Sequence, residues 1–516
     1  MTLQRFLHRP MPAVLCCLFI AVPFLVAEFP PITDLPQQAA QIRLFLETLR
    51  NPEDAPYRIQ WFTPYSLSYL ALGASWALFG PERAGRMAML GIALLWIVAI
   101  HLTARHRGRS AAAATLAGLF VLNHIMYWGF YSFAIGWPAF LLWFHAAETS
   151  YGRKASIRDA ALLLSTGLLL YVSHVLWFIA GIGWLLVSGL LLHRDLRAAA
   201  VRIGYLVPLI AAVAMWYPMF SESTMSTPAL WVSTPFSRLT LSWLSDAALG
   251  GIRGPAVPVV FCAAWVWIAV GIAQHVSAVR VRRGRADSAE NHESSMDWNL
   301  FAAACMFFGM ALILPDKFMN TIRFGERWMP AAMILLVLAA PAPMFRPVLR
   351  RAVAAVAVAG LCTVIALTWL SFQKKDLSGL QDALNALPEK PSVLGLSFIQ
   401  HSEFVTGYPF IQMFAYSQLL KGGTLNFSFA EFSPCLVVYK TQFIPPWTGS
   451  LEWYPRRVRS TDLDYFDFAL INAVEKEHRF WATQPRLTPV TSDGRWRLYR
   501  ISPGNDSFER PAGTRD

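Results

Sequence analysis

Charge is scarce in this sequence. Only 15% of its 516 residues are Asp, Glu, Lys or Arg, whereas 55% are hydrophobic. Soluble domains run at about a quarter charged, so a chain this long lacks the charge to cover a water-facing surface of its size. Cysteine is scarce too: six residues are too few for a disulfide scaffold, and no Cys/His spacing suggests zinc. Acidic residues are outnumbered 32 to 44, for a formal net charge of +12. That balance would suit a nucleic-acid binder, but apolar runs long enough to cross a bilayer exclude that reading, and disorder and collagen with it. What remains is a polytopic membrane protein.

A window of about 19 residues finds apolar runs at 11–27, 61–79, 87–103, 111–147, 160–192, 203–219, 256–275, 299–315, 329–345 and 352–370. At about 1.5 Å per residue, the runs 111–147 and 160–192 are too long for one crossing of a core about 30 Å thick. They are expected to break near Trp128-Gly129-Phe130 and near Ser173-His174. Arg5, His8 and Arg9 precede the first run, which continues to Ala27 without a small-x-small cleavage site. It reads as an uncleaved first helix with a cytoplasmic N-terminus. Beyond residue 371 the chain mixes short strand-like runs with Gly, Pro and charge. The predicted fold is an all-α polytopic transmembrane domain of about 11 helices over 1–370, with a small extracytoplasmic α/β domain over 371–502. A disordered tail is expected over 503–516.

Segment 61–79 decides the orientation. If it spans, 9 Lys and Arg of residues 1–370 fall inside and 19 outside; if it lies along the outer surface or re-enters, the count is 18 inside and 10 outside. The positive-inside rule selects the second arrangement. Trp61, Pro64, Tyr65, Ser66, Ser68, Tyr69 and Ser75 give the segment the polar, aromatic character of an interface. The cytoplasmic segments then hold 18 basic and 7 acidic side chains, the outer loops 10 of each, and residues 371–516 hold 16 and 15. Nearly the whole positive balance therefore records topology. Cys16, Cys17, Cys262, Cys305 and Cys362 lie in spans as small apolar residues, which leaves Cys435 alone outside them and no internal disulfide there.

The chemistry is expected on the neutral outer face. The first outer loop, 28–86, opens with Pro30-Pro31-Ile32-Thr33-Asp34-Leu35-Pro36-Gln37-Gln38. Asp34 is held between prolines just past the first helix, where a carboxylate could act as a general base toward a hydroxyl. On spacing alone the more common role of such a residue is to cap the helix that begins near Leu35 or Pro36. Arg83 and Arg86, three apart at a helix start, share a face. Arg323 and Arg327, four apart, would do the same in a helical loop. Arginine forks suit phosphate, although the same residues could anchor helix ends to anionic lipid headgroups.

Helix, outer-loop acid, Trp61-Phe62-Thr63-Pro64-Tyr65, Leu78-Phe79-Gly80 and Pro81-Glu82-Arg83-Ala84-Gly85-Arg86 follow in that order. This arrangement resembles the GT-C superfamily of membrane glycosyltransferases, which includes polyprenyl-phosphate-sugar-dependent mannosyl- and aminoarabinosyltransferases. Within it the chain is most similar to a poorly characterised bacterial branch with an Asp-Leu-Pro-x-His motif and a Trp-Gly-Phe-x-x-Phe turn, here Trp128-Gly129-Phe130-Tyr131-Ser132-Phe133. Gly325-Glu326-Arg327-Trp328 and Leu419-Leu420-Lys421-Gly422-Gly423 are the later matching features. The resemblance implies Asp34 as catalytic base or metal ligand. It departs at Gln38, where His is expected, so a metal or proton-relay role is not carried over to that position.

The candidate site therefore comprises Asp34 as the catalytic residue, with Arg83, Arg86, Arg323, Arg327, His124 and His174 binding substrate or phosphate. Gln38 and Glu326 give support, the latter as an ion-pair partner of the arginines. His124 and His174 enter because they are ionisable groups near outer span ends, where a neutral histidine bonded between helices is the other reading. No metal residues are assigned and no cofactor is certain, although a divalent metal is compatible with the resemblance. The loop 220–255, with Trp231, Phe236 and Trp243, reads as a cover for lipid or glycan or as an aromatic belt. In the C-terminal part, helices near 376–386 and 409–420 and strands near 392–396, 424–429, 435–439 and 467–472 are expected. Asp493-Gly494 marks a hairpin between two β-prone runs.

The reading that results is a multi-pass glycosyltransferase of the bacterial inner membrane and cell envelope. It would move a sugar from a polyprenyl-phosphate-linked donor to a glycan, lipid or protein acceptor, with its C-terminal domain in the periplasm and no nucleic-acid partner. The alternative is a non-catalytic lipid or glycan transporter, flippase or envelope-assembly partner. Ionisable residues are almost absent from the middle of the spans, which favours interfacial chemistry over transport.

Overall fold

The protein is described by a computed structural model covering residues 11–151, 156–224, 228–282, 293 and 295–504. The N-terminal basic residues Arg5, His8 and Arg9, the basic residues Arg153, Lys154, Arg283 and Arg285, and the tail beyond 504 lie outside the described residues. The fold is mostly helical. Among the described residues five helices are long and apolar enough to cross a membrane: Pro81–His106, Ala111–Trp128, Val175–Leu192, Ala256–Arg280 and Pro347–Asp376. A sixth candidate is the pair Leu196–Gly204 and Val207–Pro218, bent by 65°. About eleven spans were expected; Met11–Val26, Ser66–Phe79 and Trp298–Ile313 are shorter apolar helices. The 14-residue Ser66–Phe79 helix is about 21 Å long, less than the thickness of a hydrocarbon core.

The chain divides into two compact units. One comprises Met1–Val26, Thr63–Ser68 and Met89–Leu367; the other comprises Ala27–Phe62, Tyr69–Ala88 and Thr368–Asp516. Most of the first outer loop thus belongs with the C-terminal residues rather than with the helices before residue 370.

In the helical unit the two long apolar runs break where they were expected to. Gly129 takes φ +77° between the helices His124–Trp128 and Tyr131–Tyr151, a left-handed conformation natural to glycine. His174 separates Ile157–Ser173 from Val175–Val187 and caps the second of these: its Nδ1 accepts from the Leu176 amide at 3.1 Å. The core is aromatic. Phe133, Trp137, Phe140, Trp177, Phe307 and Trp328 pack ring against ring, with Phe307 and Trp328 stacked at 5.5 Å. Gly136 makes room for this, since a Cβ there would lie 2.0 Å from Trp177. Pro138 interrupts the Tyr131–Tyr151 helix and cannot serve the Ala134 carbonyl, so the Trp96 indole does so at 2.7 Å.

The second unit carries a five-stranded sheet in the order Thr424–Leu425, Ser392–Ser397, Phe468–Asn472, Trp496–Ile501, Leu487–Pro489. The first three strands are parallel and the last two antiparallel. Ser392–Ser397 and Phe468–Asn472 are almost wholly buried, as parallel strands covered on both faces should be. The expected hairpin forms: Leu487 pairs with Ile501, and Gly494 in the turn has φ +84°. The strand expected near 435–439 does not join this sheet. Val437–Tyr439 pairs instead with Tyr57–Ile59 of the first loop, 57 against 439, which a local reading of either segment cannot reveal.

Candidate functional site

Asp34 stands at the N-cap of the Leu35–Arg50 helix, yet its carboxylate makes no capping hydrogen bond. Two local facts explain this. An N-cap side chain accepts from the second or third amide of the helix, and the second residue here is Pro36, which has no N–H. Asp34 also has helical backbone angles, φ −88° and ψ 0°, rather than the extended ones that aim a cap inward. Capping therefore does not account for this acid. It lies half-buried near Cys435. Burial pushes the Cys435 thiol up to about 12, with Asp34 adding to the rise and a Tyr69 hydrogen bond opposing it, so that cysteine is an inert neighbour.

The same unit brings the first arginine pair to this acid's neighbour. Gly85 lies between Arg83 and Arg86, and a Cβ at that position would sit 2.6 Å from Leu35 Cδ2. The helix start that carries the arginines is therefore packed directly on the residue after Asp34. Arg83 is exposed, while Arg86 is half-buried and donates through Nη1 to the Ala27 carbonyl at 2.8 Å. A polar cavity of about 130 Å³ opens beside this turn, with Glu28, Glu82, Tyr416 and Lys421 among its lining residues. Gln38 is half-buried, and it is Gln37 that is fixed in place. Gln37 Nε2 donates to Gln412 Oε1 at 3.0 Å and to the Phe427 carbonyl at 3.1 Å, and its Oε1 accepts from the Phe429 amide at 3.1 Å. One turn on, Gln41 accepts from the Val437 amide at 2.8 Å. The polar face of the Leu35–Arg50 helix is thus built to hold the chain around 427–437.

The remaining candidates gather in the helical unit. Arg323, at φ +50°, pairs with Glu326 at 2.8 Å and with Asp246 at 3.6 Å. Glu326 is the ion-pair partner expected; burial raises its carboxyl above the ordinary range, against the pull of Arg323. Arg327 is 5% exposed, donates to the Ile322 carbonyl through Nε and Nη2, and lies 3.8 Å over the Phe130 ring. The Trp-Gly-Phe turn and the Gly-Glu-Arg-Trp loop, far apart in sequence, are therefore in contact. His174 packs edge-on to Tyr65 at 4.7 Å and to Phe133 at 5.5 Å. Because its Nδ1 accepts from an amide, the neutral ring carries its proton on Nε2. His124 is buried without a well-formed hydrogen bond, its polar neighbours being Arg323, Arg327 and the Ala247 carbonyl.

One arginine that sequence reasoning passed over is Arg238. It is wholly buried, donates to the carbonyls of Ala311, Leu312 and Leu314, and pairs with Asp316 at 2.9 Å. It satisfies the carbonyl end of the Trp298–Ile313 helix, a role with no sequence signature. In the same loop Trp231 and Phe236 are exposed. Among the described residues no group of three His, Cys, Asp or Glu side chains could hold a metal ion.

No protein-family model and no curated protein matches the chain. Solved structures similar to it include that of ArnT from Cupriavidus metallidurans bound to undecaprenyl phosphate: 14% identity, 94% of this chain and 97% of that chain covered, TM-score 0.47. Its apo state gives 15% identity over 93% and 97%, TM-score 0.45. Arabinofuranosyltransferase AftD from Mycobacteria gives 12% identity, 98% of this chain against 40% of that chain, TM-score 0.49.

Proposed function

We propose that this chain is an integral-membrane glycosyltransferase of GT-C type, transferring a sugar from a polyprenyl-phosphate-linked donor to an acceptor hydroxyl on the outer side of a bacterial inner membrane. The observation that carries the reading is Asp34: a half-buried acid next to an arginine-bearing helix start, in the N-cap position but not capping. In the proposed reaction the Asp34 carboxylate takes the acceptor hydroxyl proton as its oxygen attacks the anomeric carbon. The bond from that carbon to the phosphate oxygen breaks, and polyprenyl phosphate leaves with the extra negative charge. Arg83 and Arg86 are proposed to hold that phosphate, because guanidinium forks bind two oxygens at once. Arg323, Arg327, His124 and His174, which gather within the helical unit with Glu326 as the ion-pair partner of Arg323, are proposed as substrate- or phosphate-binding residues of that unit. Gln38 lends support beside Asp34. No step is routed through a metal.

The test is donor turnover by the full chain in liposomes. General-base assistance supplies about 10²–10⁴-fold, so Asp34→Asn is expected to lower lipid-linked sugar consumption by that order while leaving donor binding in place. Unchanged turnover in Asp34→Asn would leave the carrier or flippase reading standing. Labelling of a C-terminal tag in intact spheroplasts tests the orientation: accessibility is expected, and protection would overturn it.

A further inference from the structure

Three arginines close the Pro81–His106 helix and the loop after it, and their surroundings differ. Arg107 donates to both oxygens of Asp297, at 2.8 and 2.7 Å, and to Glu148 at 2.7 Å. Arg109 is buried and donates to the carbonyls of Ser295, Ala339 and Ala340. Two arginines and two carboxylates thus offset one another in a partly buried cluster. Arg105 is the surplus charge: it is exposed, and no carboxylate pairs with it among the described residues.

Arg105 stands at one end of a groove of about 620 Å³, a volume typical of a small-molecule site. The groove runs between Leu95, Val98 and Leu102 on one helix and Pro138, Leu141 and Leu142 on another. Its polar end carries Arg105, His106, Thr103 and His145. His145 is tied to Thr103 at 3.2 Å and its ring meets His106 at 4.7 Å, so Arg105 and His106 are the groups facing outward. Leu95, Leu102 and Leu142 are 49%, 58% and 55% exposed, on a helix pair of which Pro81–His106 is long and apolar enough to cross a membrane. A trough that is apolar along its length and cationic at one end complements an amphiphile with apolar chains and an anionic head. A zwitterionic head would return a positive group to the same place.

We propose that this groove binds an anionic phospholipid, its acyl chain along Leu95, Val98, Leu102, Pro138, Leu141 and Leu142, and its phosphate on Arg105 and His106. The proposal is independent of glycosyl transfer. The bland role for Arg105 and His106 is to offset the carbonyl end of their helix, and the test separates the two.

The experiment is native mass spectrometry of the full chain in detergent, titrated with palmitoyl-oleoyl phosphatidylglycerol or with phosphatidylcholine of the same chains. A basic residue near an anionic headgroup is worth about fivefold in affinity. One phosphatidylglycerol is therefore expected to be retained at least about fivefold more tightly than phosphatidylcholine. Arg105→Gln with His106→Gln is expected to abolish that preference, and Leu142→Trp, which fills the trough, to weaken both lipids. Tryptophan-fluorescence melting without added lipid reports folding, and the exposed Leu142 site keeps the test open should the double variant misfold. Equal retention of the two lipids, a preference that survives the double variant, or displacement by inorganic phosphate alone would overturn the proposal.

Discussion

The Trp96 indole nitrogen donates to the Ala134 carbonyl at 2.7 Å, the group that the residue at 138 would serve if it were not proline. The indole is thus a substitute donor inside a helix that proline has opened. Trp96→Phe leaves a buried carbonyl unserved, an expected cost of about 1–3 kcal/mol. In a Pro138→Ala background the alanine amide can reach Ala134, and the loss should shrink. A double-mutant cycle of thermal midpoints in detergent measures this. Equal losses in the two backgrounds would mean that Trp96 contributes packing and not the hydrogen bond.

Arg327 and Phe130 make a similar pair across two motifs. A guanidinium 3.8 Å over a ring gains from charge and from planar stacking. Lysine keeps only the charge, and it loses the fork that holds the Ile322 carbonyl through two nitrogens. Arg327→Lys and Phe130→Leu are each expected to cost about 0.5–2 kcal/mol and to be markedly non-additive. Additive costs in the same melting assay would show that the contact contributes nothing of its own.

This pair also marks how far the sequence could be read. Both motifs were visible as short patterns, and the breaks at Gly129 and His174 followed from run length, because a helix longer than a bilayer must be interrupted. The pairing of residues 57–59 with 437–439 was not legible, since three residues have no periodicity and their partner lies some 380 positions away. The failure of Asp34 to cap was half-legible: Pro36 removes a donor the cap would use, but the helical backbone at Asp34 is a tertiary outcome. Arg238 left no trace at all, because its partners are the carbonyls of a helix end.

The sequence pointed to Gln38, and the structure to its neighbour. Gln37 makes three hydrogen bonds from a position 1% exposed, whereas Gln38 is half-buried. Gln37→Ala should cost about 1–3 kcal/mol, because the Gln412 side chain, the Phe427 carbonyl and the Phe429 amide lose a partner together. Gln38→Ala should stay within about 0.5 kcal/mol. Limited proteolysis of the 427–437 segment is the direct readout: faster cutting is expected in Gln37→Ala alone. The same rate in both variants would mean that Gln37 does not hold that segment.

Glu431 and Glu452, outside the apolar helices, are both pushed up to about 7, chiefly by burial. An acid raised in this way keeps its proton in the folded state after the unfolded chain has released it. The folded state therefore binds more protons between the ordinary value of 4.5 and about 7, and stability falls as pH rises through that window. The neutral isostere Glu431→Gln avoids the penalty and retains an oxygen for the Ser428 amide, which Glu431 accepts at 3.0 Å. It should match the parent near pH 4.5 and exceed it above pH 7 by an amount on the order of 1–3 kcal/mol, at about 1.4 kcal/mol per unit with solvent screening allowed for. Because the Glu431 charge also raises Glu452, the same substitution should lower the pH at which Glu452 titrates. Melting midpoints of the two proteins across that range decide the matter: a gap that opens with pH supports the burial of a protonated acid, and a constant gap would show that Glu431 acts through packing alone.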